Sequence, residues 1–254
     1  MKRLSLLSLF LFATTLLHAE SVHFRFDVSA DMQRILTDAF YDFLSTIPEA
    51  DRPTRFAVGK SMKDQKTKPV LEIAADLPAN AMPYAVNGTI FAVSKKNPVK
   101  TISKIQADSI LAGKLAHWED SDKKKKAVIF CIYSPSAPTT RNHSLNIPGG
   151  LIQHKTYFQD LELLTLYVNG SKDAIAILPV RCFNLKELHL LAPDNIPCTM
   201  ETVMSGKYPY ATIYRIRWDK KNPLANKLAE YLLSPRVKLR IHQVGDMPLR
   251  PNQK

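Results

Sequence analysis

Residues 22–44 read VHFRFDVSADMQRILTDAFYDFL. Val22, Phe24, Phe26 and Val28 alternate with His23, Arg25 and Asp27, and a period of two is the mark of a half-buried strand. From Met32 the period changes. Met32, Ile35, Leu36, Ala39, Phe40, Phe43 and Leu44 recur at intervals of three and four up to Pro48, which is one face of a helix. Ser29 stands at the change as an N-cap, and Asp31 follows where the positive end of a helix dipole favours a carboxylate. The chain therefore opens as strand, short turn, helix.

The same alternation continues. Strands are expected at Arg55 to Val58, Val70 to Ala74, Thr89 to Val93, Val128 to Tyr133, Ala174 to Leu178 and Ala211 to Trp218. Helices are expected from the Ser103 cap through Ile105, Ile110 and Leu111 to Gly113, over Tyr157 to Tyr167, and over Leu224 to Leu233. Strands that take turns with helices indicate an α/β fold with mainly parallel sheets. No internal repeat or low-complexity tract interrupts the pattern.

Upstream, Lys2 and Arg3 precede the apolar run Leu4 to Leu17 and then His18-Ala19, the pattern of a secretory signal peptide cleaved near Ala19. The run is shorter than the roughly 20 apolar residues of a membrane span. No cysteine adjoins the cleavage site for a lipid anchor, so the expected location is the periplasm or the exterior. The formal charge is +12, and residues 1–19 hold two basic and no acidic side chains, so residues 20–254 carry +10. That balance suits an anionic partner. Nucleic acid is disfavoured, because the basic residues are dispersed and the dense run Lys123 to Lys126 sits beside Asp120 and Asp122 in an expected solvated turn. Of the three cysteines, Cys131 lies in an apolar run and reads as a buried thiol, while a bridge between Cys182 and Cys198 is left open. No cysteine or histidine pair has metal-ligand spacing, and no cofactor is implied.

Two further stretches are more specific. The first is Asn97-Pro98-Val99, Ile102 to Leu111, Ala112-Gly113-Lys114 and His117-Trp118. The second is Thr199 to Val203, Ser205-Gly206-Lys207-Tyr208-Pro209-Tyr210, the strand to Arg217, Ala229 to Pro235, and Gly245-Asp246-Met247-Pro248-Leu249. In order and spacing these resemble the phosphate-binding type of periplasmic solute-binding protein, the substrate-binding family of phosphate ABC transporters, over most of the chain after residue 19. The resemblance implies a two-lobed, type 2 periplasmic-binding-protein-like α/β fold with a mixed, mainly parallel sheet in each lobe. Lobe I would comprise residues 20–88 plus 206–254, and lobe II residues 89–205. Read singly, Gly113 is a helix C-cap, Trp118 a core aromatic and Tyr208-Pro209 a turn, so these residues carry fold rather than ligand chemistry.

The resemblance also implies a site between the lobes, where backbone N–H groups and hydroxyls at helix starts hold an oxyanion. Three loops would form it. The first holds Ser29, Ala30 and Asp31; Ser29 can donate to a ligand or only cap its helix, and Asp31 repels a fully ionised anion yet accepts a proton from a hydrogen-bearing one. The second, Gly59-Lys60-Ser61, departs from the family's Gly-Ser-Gly, leaving Ser61 as its hydroxyl. The third, Ser134 to Arg141, contributes Ser136, Thr139, Thr140 and Arg141, with Pro138 where the family has glycine; proline has no N–H to offer. The expected function is passive binding of phosphate or a related oxyanion by a monomer, for delivery to a membrane ABC permease. The alternative is a secreted scaffold or sensor that keeps the fold and has lost the anion. No Gly-x-Ser-x-Gly elbow, His-Glu-x-x-His pair or phosphate loop supports an enzyme.

Overall fold

The computed structural model describes residues 22–53, 55–59, 68–112, 114, 117–119, 125–133 and 155–249. In chain order the elements are β1 (Val22–Asp27), α1 (Ala30–Thr46), β2 (Phe56–Gly59), β3 (Leu71–Ala74), β4 (Met82–Val93), β5 (Thr101–Ile102) and α2 (Lys104–Leu111). Next come β6 (His117–Glu119), β7 (Lys125–Ala127), β8 (Ile129–Tyr133), β9 (Lys155–Phe158), α3 (Leu161–Gly170) and β10 (Ala174–Pro179). The chain continues with β11 (His189–Pro193), α4 (Met200–Met204), β12 (Ala211–Trp218), α5 (Pro223–Leu232), α6 (Pro235–Gln243) and β13 (Met247–Pro248).

The opening stretch folds as its periods require. Ser29 caps α1 by accepting a hydrogen bond from the Met32 N–H, and Met32, Ile35, Leu36, Ala39, Phe40 and Phe43 are the buried face. They pack with Phe24 and Phe26 of β1, Ile73 of β3 and the inward residues Leu228, Leu232, Val237 and Ile241 of α5 and α6. The opposite face of this sheet is polar. Arg25, Glu72 and Arg217 lie at one level across β1, β3 and β12, and the buried Glu72 carboxylate takes Arg25 at 3.3 Å and Arg217 at 2.7 Å.

The strand order β2-β1-β3-β12-β4-β10-β8-β9 joins two sheets through one strand. From Met82 to Gly88, β4 runs antiparallel to β12; from Thr89 to Val93 it pairs antiparallel with β10 and, over its last three residues, with β11. Away from β4 the ladders are parallel, β2-β1-β3 on one side and β10-β8-β9 on the other. This is the two-lobed mixed α/β arrangement expected. The second sheet is covered on both faces: Ile90, Ala92, Ala176 and Leu178 face α3, while Phe91, Val93, Ile175 and Ile177 face α2. Double burial is why Ala174 to Leu178 is a continuous apolar run instead of an alternating one.

At the change of sheet the second crossing segment comes very close. Thr89 N–H donates to the Tyr210 carbonyl at 2.9 Å, and the buried Tyr208 hydroxyl donates to the Thr89 carbonyl at 2.9 Å. A Cβ on Gly88 would collide with the Tyr210 carbonyl oxygen and lie 2.9 Å from the Ala211 Cα, so only glycine fits.

Two expectations are corrected, and one element was not anticipated. The strand expected at Thr89 to Val93 begins seven residues earlier, at Met82. Tyr157 and Phe158, expected to start a helix, extend the parallel ladder beside β8, and the helix starts later from an Asp160 cap that binds the Glu162 and Leu163 N–H groups. The segment after Ser234 is a second closing helix, α6, with Pro235 in its first turn, where proline loses no hydrogen bond. Cys131, Cys182 and Cys198 are all buried and unbridged. Burial pushes the Cys131 and Cys198 thiols up to about 12 and raises that of Cys182, so all three are held in the unreactive protonated form.

Candidate functional site

The carboxyl ends of β1 and β3 and the first turn of α1 form one edge of the first sheet, adjoining β4 where it leaves for the second sheet. Ser29, Ala30 and Asp31 are brought together here: Ala30 is exposed, and Ser29 and Asp31 are half-buried. The Ala30 and Asp31 N–H groups belong to the turn that has no intrahelical acceptors. Ser29 has two further attachments. Its hydroxyl lies 3.5 Å from Asp246 Oδ2, and it contacts Tyr214 of β12.

Asp246 is the centre of this edge. It is 1% exposed, and its Oδ1 accepts from the Asn87 amide at 2.5 Å. Burial pushes its carboxyl up to about 7, the Asn87 bond pulls it down, the Asp31 charge raises it and the Ser29 hydroxyl lowers it. It therefore changes charge near neutral pH. Burial likewise pushes the Tyr214 phenol up to about 12, the Asp246 charge adds to this, and Ser29 opposes it.

Two arginines lie at this edge. Arg215 of β12 is in register with Ala74 and so level with Asp27, and its Nε is buried without a hydrogen-bond partner among the described residues. Arg25 is already committed. It donates to Asp76 at 2.7 Å, to Asp27 at 3.2 Å and to Glu72 at 3.3 Å, and the Asp76 bond leads the effects that hold it firmly protonated. The edge as a whole is rich in carboxylates: Asp27, Asp31, Asp76 and Asp246. Such a wall disfavours a fully ionised anion and accepts hydrogen bonds from a ligand that carries protons. A depression of about 340 Å³ lies beside it along the crossing, lined by Asn87, Gly88, Thr89, Asp108, Tyr210 and Thr212 among others.

Ser61, Ser136, Thr139, Thr140 and Arg141 lie outside the described residues. Sequence reasoning missed Asp246, Asn87, Tyr214, Asp76 and Arg25. Two of these left a signal: Asn87 is a polar residue inside the otherwise apolar run of β4, and Asp246 a charge between Gly245 and the apolar Met247-Pro248-Leu249. Among the described residues no group of three ligating side chains could hold a metal ion, and no helix is long and apolar enough to cross a membrane.

The PBP superfamily domain matches residues 49–236 of the chain. Solved structures share the fold at low identity. A possible phosphate binding protein from Planctomyces limnophilus DSM 3776 is 14% identical with a TM-score of 0.58, over 91% of this chain and 93% of that one. An ABC-type phosphate transport receptor from Vibrio cholerae is 14% identical with a TM-score of 0.52, over 89% and 99%. PstS from Borrelia burgdorferi is 13% identical with a TM-score of 0.52, over 91% and 100%. No curated protein sequence matches the chain.

Proposed function

The chain belongs to the PBP superfamily, and on that premise we propose that it is an exported solute-binding protein that holds a small oxyanion, phosphate or a relative that still carries hydrogen, between its lobes. The observation that carries this reading is the first turn of α1: a hydroxyl and two N–H groups without helical acceptors, set at the carboxyl end of β1 beside the buried Asp246. The neighbouring carboxylates give the reading its direction. Hydrogen phosphate can donate to Asp31, Asp76 or Asp246, whereas sulfate at neutral pH has no proton to offer and meets only repulsion.

The sheets support lobe I as residues 20–88 plus 206–254 and lobe II as 89–205, because β4 changes partner at Gly88 and Thr89 and the chain returns at Tyr208 to Ala211. Residues 1–19 would direct export and be removed, leaving a monomer to deliver its ligand to a membrane permease. The protein would bind and release without chemical change.

Calorimetry with inorganic phosphate, sulfate and molybdate tests the reading. Heat with phosphate and none with sulfate is expected; no heat with any of the three overturns it. A second reading then stands, a scaffold of the same fold without a ligand. The observation favouring it is that the Ser29 hydroxyl is already engaged, with the Met32 N–H at 3.4 Å and Asp246 at 3.5 Å.

A further inference from the structure

At the carboxyl end of β10 the chain enters a tight 3-10 turn, Val180–Cys182, whose outer residues are buried in the second lobe's core while Arg181 between them reaches outward. Its Nη2 donates to the Tyr133 hydroxyl, at the carboxyl end of the parallel neighbour β8, at 3.2 Å, and the guanidinium carbon stands 5.5 Å from the centre of the Tyr133 ring. Its Nη1 lies 3.3 and 3.4 Å from the two ring nitrogens of His242. His242 is on α6, whose Val237 and Ile241 are embedded in the first lobe's core. The Arg181 contact therefore joins the lobes. Three residues separate His242 from Asp246, at most about 14 Å of chain, so this contact approaches the Ser29 edge.

Among the described residues no carboxylate pairs with Arg181. Arg25, Arg217 and Arg240 each meet a carboxylate within 3.4 Å. Among the described residues Arg181 meets a phenol and an imidazole, and its Nε–H is buried without an acceptor. A half-buried cation with neutral neighbours and an unused donor is costly unless an anion joins it, and a planar fork of N–H groups suits an oxyanion.

We propose that Arg181, with Tyr133 and His242, is the cationic half of the binding site and clamps an oxyanion across the junction of the two lobes. This rests on the solute-binding reading above and adds a positive charge from the second lobe to the acidic Ser29 edge. The anion would take the guanidinium from one lobe and the imidazole from the other, so its binding would favour lobe closure. Burial and, after it, the Arg181 charge hold the His242 imidazole below its usual value, and an anion beside the guanidinium offsets the second of these effects. On that helix Arg240 pairs with Asp38 and Asp42 of α1, and Arg236 with Asp42.

The test is phosphate calorimetry on the purified protein, Arg181→Gln and His242→Gln, with the His242 imidazole titrated by nitrogen NMR with and without phosphate. Loss of at least tenfold in affinity is expected for Arg181→Gln and severalfold for His242→Gln, with the phosphate-free melting temperature of Arg181→Gln unchanged or higher. The His242 pKa should rise when phosphate saturates the unaltered protein. If Arg181→Gln does not fold, Arg181→Lys keeps the charge without the fork and should still weaken binding. Phosphate binding that is equal in the Arg181 variant, or a His242 pKa indifferent to phosphate, overturns the clamp and leaves solute binding intact. An unaltered protein that binds neither phosphate, sulfate nor molybdate overturns both.

Discussion

The edge around Ser29 and the edge around Arg181 differ in their electrostatics. The Ser29 edge of the first lobe gathers Asp27, Asp31, Asp76 and Asp246, and its Arg25 is bound by three carboxylates, Asp27, Glu72 and Asp76. Among the described residues, the Arg181 guanidinium of the second lobe meets a phenol and an imidazole and no carboxylate. A net charge of +12 thus says little about where an anion could bind. What matters is which cation is left uncompensated. On the proposal above, the acidic edge would accept hydrogen bonds from the ligand and the basic edge would hold its charge, which is why a hydrogen-bearing oxyanion is proposed.

The contrast depends on how the crossing strands hold the two edges, so the most severe way to break it is at Gly88. Gly88→Val places side-chain atoms against the Tyr210 carbonyl and Ala211 backbone, which cannot yield as a side chain would. The loss should exceed the ~1–3 kcal/mol of ordinary overpacking, visible as a large drop in the urea midpoint.

Asp246 sharpens the acidic side. A carboxyl group whose folded pKa, about 7, stands above its unfolded value of roughly 3.9 favours folding while it keeps its proton. Its contribution is full below about pH 4 and is lost as pH rises towards 7, with a size on the order of 4 kcal/mol. Asp246→Asn stays neutral throughout. Relative to the unaltered protein it should therefore gain stability by about that amount between pH 4 and pH 8, as urea denaturation at each pH would register; parallel pH curves would show that Asp246 is not the titrating group.

The smallest effect is at Ser29. Ser29→Ala removes the cap of α1 and should cost about 1 kcal/mol in thermal or urea unfolding. If the first turn also touches the ligand, phosphate affinity falls with it in calorimetry. A stability loss with unchanged affinity would assign Ser29 to capping alone and shift the weight of binding to the Arg181 edge.

Local signals were legible where one residue's environment is repetitive. The period of two in β1, the 3–4 spacing of α1 and the Ser103 cap of α2 all describe what forms. The first half of β4 was not legible. Pro83 and Asn87-Gly88 read as loop residues, yet Pro83 sits beside the register shift at Tyr214 and Arg215, Asn87 is bonded to Asp246, and Gly88 admits the crossing segment. Each looks wrong for a strand until its partner is known. Tyr157 and Phe158 were misread for a related reason: their apolar spacing continues into α3, and only pairing with β8 makes them a strand.

The sequence by itself determined the strand-turn-helix opening, the alternation that makes the chain α/β, and the crossing and closing motifs that place it among two-lobed binding proteins, because these are carried by residues within a few positions of each other. Tertiary structure alone decided that Ser29 meets Asp246, 217 residues away, and that Arg181 meets His242, 61 residues away. It also decided which cations are neutralised and which carboxyl group titrates near pH 7. Those properties arise from burial and from partners that only the folded chain assembles, and no local pattern records them.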